Sequence, residues 1–330
     1  MKGIDRDSGQ TEGMERKENR ERVRLDVLLV ERGLFPSRER AQGAVLAGLV
    51  FVSGQPATKP GSRYPRDAEV EVRGTDLAYV SRGGLKLEKA LDAFGIDVGG
   101  LVAVDIGAST GGFTDCLLKH GAALVYAVDV GYGQLAWSLR QDPRVVVLER
   151  TNARFLDRSA LARAHPAGGR GSAEEAPMPR FASVDVSFIS LDKILPALVD
   201  VLAPGGRAVC LVKPQFEAGR AEVGKKGVVK DPDIHRRVLG RVAEAARASG
   251  FAVAGLTFSP VTGPEGNIEY LLYLTRAGGQ AGGNAGGQGG RQAGGNAGGG
   301  RAVAPARPLL PDELPGLITR VVQEAHAALA

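Results

Sequence analysis

Three charges of both signs stand at the ends of apolar runs. Asp185 follows "FASV", Lys213 follows "AVCLV", and Glu269 precedes "YLLYL". Open α/β sheets bind their ligands at strand ends, so an acid and a lysine meeting there could hold and move a proton. The plainer alternative for each is the solvated tip of a strand. A fourth feature is "DIGASTGGFTDCLL", residues 105–118. Asp105 stands two places before a turn made of Gly107, Ala108, Ser109, Thr110, Gly111 and Gly112, followed by Phe113 and Thr114. The pattern is G-x-x-x-G-G rather than the G-x-G-x-x-G of a pyrophosphate turn. Asp129 ends the next apolar run, 22 residues after Gly107, where an acid can accept hydrogen bonds from both ribose hydroxyls. A ribose-bearing cofactor without phosphates suits this arrangement, namely S-adenosylmethionine. The small residues would admit its methionine portion, and Asp105 would support its ammonium end indirectly. An NAD enzyme is the competing reading, and a ligand-free βα turn is the plainest one.

The elements that must position these residues follow from periodicity. Apolar runs at 101–104, 124–128, 145–148, 181–184 and 208–212 read as parallel strands separated by helical stretches. Runs at 251–258 and 270–274 bring the total to about seven strands in a doubly wound α/β sheet. Before it lies a compact α+β unit. Leu25, Leu28 and Leu29 form one helix face, closed by Gly33. Ser37 is placed to cap a second helix with Ala41, Ala44 and Val45 inward. Short strands "LVFV" and "AEVEV" flank the turn "SGQPATKPGSR". The boundaries read as a charged arm over 1–22, the small unit over 23–80, a linker "SRGG" over 81–84 whose glycines permit a hinge, and the large domain over 85–276. A low-complexity tether follows over 277–302, and a terminal helix over 303–330 docks back on the large domain. Thirteen of the 24 residues from 277 to 300 are glycine, which cannot build a core. The stretch 165–180 reads as a surface loop.

Composition excludes several classes. The chain has 330 residues, 24% charged and 43% hydrophobic, and a net charge of +5, which permits a nucleic-acid partner. Cys116 and Cys210 are its only cysteines, too few for a disulfide framework or a metal cluster, and suit a reducing cytoplasm. The first 22 residues lack the apolar core of a secretory signal, and no apolar run approaches a membrane span. A cytoplasmic monomer with no metal and no membrane partner is expected.

The glycine turn resembles the cofactor loop of the FtsJ-like RNA methyltransferases. With it come "YVSRGGLKLEKAL" at 79–91, "SVDVSFISLDKILPAL" at 183–198, "LVKPQFEAG" at 211–219 and "VTGPEGNIEYLLYL" at 261–274. Together these resemble the TlyA family, ribosomal RNA 2′-O-methyltransferases once called hemolysins, and the small unit resembles an S4-type RNA-binding domain. The resemblance implies a Rossmann-like methyltransferase sheet and a catalytic set Lys86, Asp185, Lys213 and Glu269. Lys86 is placed by resemblance alone; its local pattern is that of a solvated helix lysine. The cofactor set is then Asp105, Gly107 through Thr114, Asp129, Asn152 and Asp185. A ribose hydroxyl must lose its proton as it attacks a methyl group, so one lysine must act as base. Lys213 is the expected base, Asp185 its orienting partner, and Lys86 and Glu269 hold the hydroxyl and the charge balance. The implied substrate is the 2′-oxygen of a cytidine in large-subunit RNA, with small-subunit RNA a second candidate.

Side chains suited to phosphate contact are Arg38, Arg40 and Gln42 on the second helix, Lys59 and Arg63 in the following turn, and Arg82 in the linker. Lys225 and Lys226 belong to "GRAEVGKKGVVKDPDIHRR", whose six basic residues could line an RNA path. At 5% aromatic residues the chain offers no broad stacking platform, although Phe188 could stack one flipped base. Two other classes stay open: a non-catalytic RNA-binding assembly factor, and an NAD-dependent oxidoreductase. A pore-forming hemolysin lacks any spanning segment.

Overall fold

The computed structural model describes residues 22–35, 37–46, 48–72, 78–165, 176–263, 265–278 and 307–329. Nearly all of the expected arm and tether, and most of the 165–180 loop, lie outside the described residues.

The N-terminal unit contains strands β1 (Arg22–Arg24), β2 (Val50–Val52), β3 (Gln55–Pro56), β4 (Arg63–Pro65) and β5 (Val70–Val72), with helices α1 (Leu25–Glu31) and α2 (Arg38–Leu46). β2 pairs antiparallel with β3 and β5, and β1 pairs antiparallel with β4. β3 lies inside the stretch that reads as a turn in the sequence and β4 begins at its last residue, because their pairs are two or three residues long and carry no periodic signal. Ser37 Oγ accepts the Arg40 N–H at 3.3 Å, which starts α2. Leu25, Leu29, Ala41, Ala44, Val45 and Val50 form the unit's small core.

The large domain begins with α3 (Gly83–Phe94), β6 (Val102–Ile106), α4 (Gly112–Lys119), β7 (Leu124–Val128), α5 (Trp137–Arg140) and β8 (Val145–Leu148). It continues with α6 (Arg158–Ala164), β9 (Phe181–Val184), α7 (Leu195–Val201), β10 (Arg207–Val212), α8 (Pro214–Glu217), α9 (Pro232–Ala248), β11 (Phe251–Phe258), β12 (Tyr270–Arg276) and α10 (Glu313–Leu329). The strands form one sheet in the order β11-β12-β10-β9-β6-β7-β8. β6 to β10 are mutually parallel, whereas β12 runs antiparallel between β10 and β11. The central strands are near-continuous apolar runs because helices cover both faces. Leu87, Leu117 and Leu139 bring α3, α4 and α5 onto one face. Leu161, Leu198, Val242 and Val322 bring α6, α7, α9 and α10 onto the other.

Helix limits follow local chemistry. Asp231 caps α9 by accepting the Asp233 N–H at 2.8 Å, and Pro232 occupies its first turn. α10 buries Leu314, Ile318, Val321, Val322 and Ala325, at about 1.5–3 kcal/mol for each large side chain. The expected hinge takes another form. α3 starts at Gly83, inside the "SRGG" stretch, and neither glycine there has a positive φ. A Cβ on Gly84 would lie 2.1 Å from the Tyr79 ring, so this glycine admits a packed aromatic.

Candidate active site

The carboxyl edge of the sheet gathers the chemistry. β6 ends at Ile106, and the loop turns back so that the Gly107 and Ala108 N–H groups donate to the Val128 carbonyl at 2.8 and 3.0 Å. Gly107 has φ +85, and a Cβ there would sit 2.3 Å from the Asp185 carbonyl oxygen; only glycine fits. Gly111, at φ +95, starts α4, and a Cβ on Gly112 would meet Ser81 Oγ at 2.2 Å. Ser109 holds φ +48, with its N–H donating to Asp129 Oδ2 at 2.7 Å. Gly131 N–H donates to the other Asp129 oxygen at 2.6 Å. The result is an open backbone cradle of small residues with an acid at its rim.

Asp105 and Thr114 lie beneath this cradle. Both are fully buried, and Asp105 accepts the Thr114 hydroxyl at 2.7 Å and the Ser183 hydroxyl at 2.8 Å. Burial pushes the Asp105 carboxyl up to about 7, against those two hydrogen bonds. Its observed contacts tie α4 to β6 and β9. Asn152 is exposed and caps a short turn by accepting the Arg154 N–H at 3.1 Å; the neighbouring Thr151 N–H reaches the Asp129 carbonyl at 2.9 Å.

The four charged residues named from the sequence come together in one cleft of about 620 Å³. Lys213 Nζ lies 2.6 Å from Asp185 Oδ1 and donates to Ser187 Oγ at 2.9 Å. Lys86 Nζ donates to Glu269 Oε2 at 2.6 Å, with Lys86 8% and Glu269 1% exposed. Burial alone would lower the Lys86 amine, but Asp185 and Glu269 outweigh it and hold the amine above its ordinary value. Burial likewise disfavours the Asp185 carboxylate, and Lys213 and Lys86 reverse that, leaving its carboxyl below the usual range. The quartet is therefore two ion pairs coupled through Lys86 and Asp185. Glu269 belongs to the cleft because β12 is reversed, which puts its amino end beside the carboxyl ends of its neighbours.

The phosphate candidates separate into groups. Arg82 is half-buried, lines the cleft and packs 3.2 Å from the position of a Cβ on Gly48. Burial lowers its guanidinium, opposed by Glu269. Arg38 and Gln42 donate to Asp26 Oδ2 at 3.0 and 2.7 Å, alongside Arg24 at 2.9 Å. Burial would raise the Asp26 carboxyl, but these hydrogen bonds outweigh it and hold it well below the usual range. Arg40, Lys59, Arg63, Lys225 and Lys226 are exposed.

Tyr132, Trp137 and Phe155 escape the sequence reading, which singled out Phe188 alone. Tyr132, Trp137, Phe155 and Phe188 are 69%, 58%, 74% and 90% exposed, and all follow the carboxyl ends of β7, β8 or β9. Arg150 lies 4.3 Å from the Tyr132 ring centroid and Arg154 5.6 Å from that of Phe155. The low aromatic count argued against a stacking surface, but a count does not register where rings are placed. Phe188 has φ +64 and leans on Phe216 at 4.8 Å between centroids. Among the described residues no cluster suits a metal ion, and no helix is long and apolar enough to cross a membrane.

Comparison with known proteins agrees with this geometry. Residues 79–276 match the FtsJ-like methyltransferase family and residues 23–70 the S4 domain. The chain is 49% identical over 254 residues to the 16S/23S rRNA (cytidine-2′-O)-methyltransferase TlyA of Mycobacterium tuberculosis, covering 77% of this chain and 90% of that one. It is 41% identical over 251 residues to hemolysin A of Brachyspira hyodysenteriae, covering 76% and 99%. A solved structure of a hemolysin-named protein from Streptococcus thermophilus has a TM-score of 0.62 at 42% identity and covers 93% of this chain and 96% of that one. With an S4 domain ahead of a seven-stranded methyltransferase sheet, this chain belongs to the FtsJ-like methyltransferases, in the TlyA family.

Proposed function

We propose that the protein transfers a methyl group from S-adenosylmethionine to the ribose 2′-oxygen of a cytidine in ribosomal RNA. The observation that carries this reading is the coupled pair of ion pairs, Lys213–Asp185 and Lys86–Glu269, facing the glycine cradle in one cleft. The cradle fits the cofactor. Gly107 admits the close approach of the Asp185 backbone, small residues Ala108, Ser109, Thr110 and Gly112 line the opening with Phe113, and Asp129 offers carboxylate oxygens to ribose hydroxyls. When bound, the cofactor supplies a methyl group activated on a sulfonium centre.

The remaining work belongs to the chain. Lys213 pairs with Asp185 and Ser187; after giving up one proton to solvent, its neutral amine receives the 2′-hydroxyl proton as the oxygen takes the methyl carbon from sulfur. Lys86, kept charged by Asp185 and Glu269, holds the attacking oxygen in place. Phe188 offers a ring to the target base outside the helix stack. An exposed phenylalanine in the left-handed region stores on the order of 1 kcal/mol or more of strain, which a stacking role explains. Arg40, Lys59 and Arg63 on the S4 domain and Lys225 and Lys226 beside the cleft bind phosphates. The Arg150–Tyr132 and Arg154–Phe155 pairs add a face for unpaired nucleotides.

The test is Lys213→Ala. Transfer to ribosomal subunits should fall about 100-fold or more, the range for loss of a general base, while S-adenosylmethionine affinity by calorimetry stays within about threefold. Retained transfer would remove Lys213 from that role.

A further inference from the structure

We infer that Glu217 is a positioning residue for this reaction, locking the segment that carries Asp185 to the segment that carries Lys213; the inference rests on the function proposed above. α8 is four residues long, too short to hold its own orientation. Lys213 is its N-cap and Glu217 its last residue. Glu217 is 6% exposed and does not line the tetrad cleft; it borders a separate hollow with Ser190 and Arg241. One carboxylate oxygen accepts the Ser190 hydroxyl at 2.5 Å, and the other accepts the Leu191 N–H at 2.8 Å.

Leu191 opens the short turn that leads into α7, and the Ser190 side chain makes no cap of its own. Glu217 supplies from another segment the acceptor that the local sequence lacks, and sets negative charge at the positive end of that turn. Arg241 of α9 fixes the arrangement from behind, with Nη2 3.7 Å from Glu217 Oε2 and a hydrogen bond to the Glu217 carbonyl.

The segment from Asp185 to Ser190 carries the partner of Lys213, its hydrogen-bond acceptor Ser187, and Phe188. Its first residue is held by the Asp185 N–H donating to the Ile106 carbonyl at 2.8 Å. Its last is held by Glu217. Loss of Glu217 frees the far end, and Ser187 and Phe188 shift relative to the base. Misplacement by about an ångström at such a site costs on the order of 100-fold in rate. The cofactor cradle is anchored by Val128 and Asp129 instead, so it should survive.

The experiment compares the full-length chain with Glu217→Ala and Glu217→Gln. It reads kcat and KM for tritium transfer from S-adenosylmethionine to ribosomal subunits, cofactor affinity by calorimetry, and Tm. The expected result is a kcat about 30–100-fold lower for Glu217→Ala and about 10-fold lower for Glu217→Gln, which keeps one acceptor oxygen, with cofactor affinity within about threefold for both. Should Glu217→Ala fail to fold, Glu217→Gln alone decides, by the same split between kcat and cofactor affinity. A wild-type kcat in a folded variant overturns the inference. So does a parallel fall of kcat and cofactor affinity, which would make the role merely structural. A wild-type chain that transfers nothing to any ribosomal RNA overturns the proposed function and this inference together; an active wild type with unaltered variants overturns this inference alone.

Discussion

The S4 domain and the methyltransferase domain each bury one aspartate completely, Asp26 and Asp105, and hold it by opposite means. Asp26 is gripped by Arg24, Arg38 and Gln42, and its two arginines stay 44% and 52% exposed at their side chains. Asp105 is met by neutral donors, chiefly the hydroxyls of Thr114 and Ser183. Cationic partners stabilise the ionised form of the first. Burial with neutral partners favours the protonated form of the second. In the S4 domain the acid organises cations that still face solvent, where a phosphate can reach them. In the larger domain it ties a helix to the sheet in a dry interior.

The contrast can be broken most directly at Asp105. Its folded value is raised to about 7 against an unfolded value near 4, so its favourable contribution is complete below about pH 4 and is lost as pH rises through about 7, on the order of 4 kcal/mol. Asp105→Asn, which can accept from one hydroxyl and donate to the other, should lack that slope. From pH 5 to pH 8 its stability should gain on wild type by several kcal/mol, read by hydrogen exchange in α4. Equal slopes would mean that Asp105 titrates normally.

Asp26 should show the reverse sign at smaller size. Its folded value is depressed, so its contribution is present above about pH 4 and is lost as pH falls below that. Asp26→Asn should destabilise α1 and α2 by about 2 kcal/mol at neutral pH, the scale of charge-assisted hydrogen bonds to half-exposed partners. The difference from wild type should shrink between pH 4 and pH 2. A constant gap would show that shape rather than charge does the holding. The smallest effect belongs to cations outside this cluster. Lys59→Ala with Arg63→Ala should leave stability within about 0.5 kcal/mol and reduce the salt dependence of RNA affinity by about two charges. An unchanged salt slope would move the phosphate contacts elsewhere.

Much of the sheet was legible, because strands buried on both faces read as plain apolar runs bounded by turns. Asp185, Lys213 and Glu269 were legible for the same reason, each lying next to such a run. Lys86 was not. Its neighbours "GLKLEK" describe an ordinary amphipathic helix, and its partner Glu269 lies 183 positions away. Periodicity assigns a residue to a face and does not name what waits across it. The Asp26 cluster was hidden similarly: Arg38 and Gln42 read as solvent-facing because the acid they hold sits on another helix. The reversal of β12 also left no mark, since strand direction is set by the connection around it. Glycine roles divided by what each glycine meets. The Gly107 turn was visible from the loop pattern, whereas Gly84 suggested freedom and serves instead as a seat for Tyr79.

The antiparallel last strand has a consequence for how the chain can vary. Because β12 runs backward, it finishes at the edge of the sheet farthest from the catalytic mouth, where the Arg276 N–H meets the Gly206 carbonyl and the Ala277 N–H meets that of Gly250. The chain is next described at 307, and the Leu309 N–H bonds to the Val253 carbonyl at the start of β11, on that same rear edge. Both anchor points of the glycine repeats thus lie at the back of the enzyme. Additions to that span therefore start from the side of the sheet opposite the tetrad cleft.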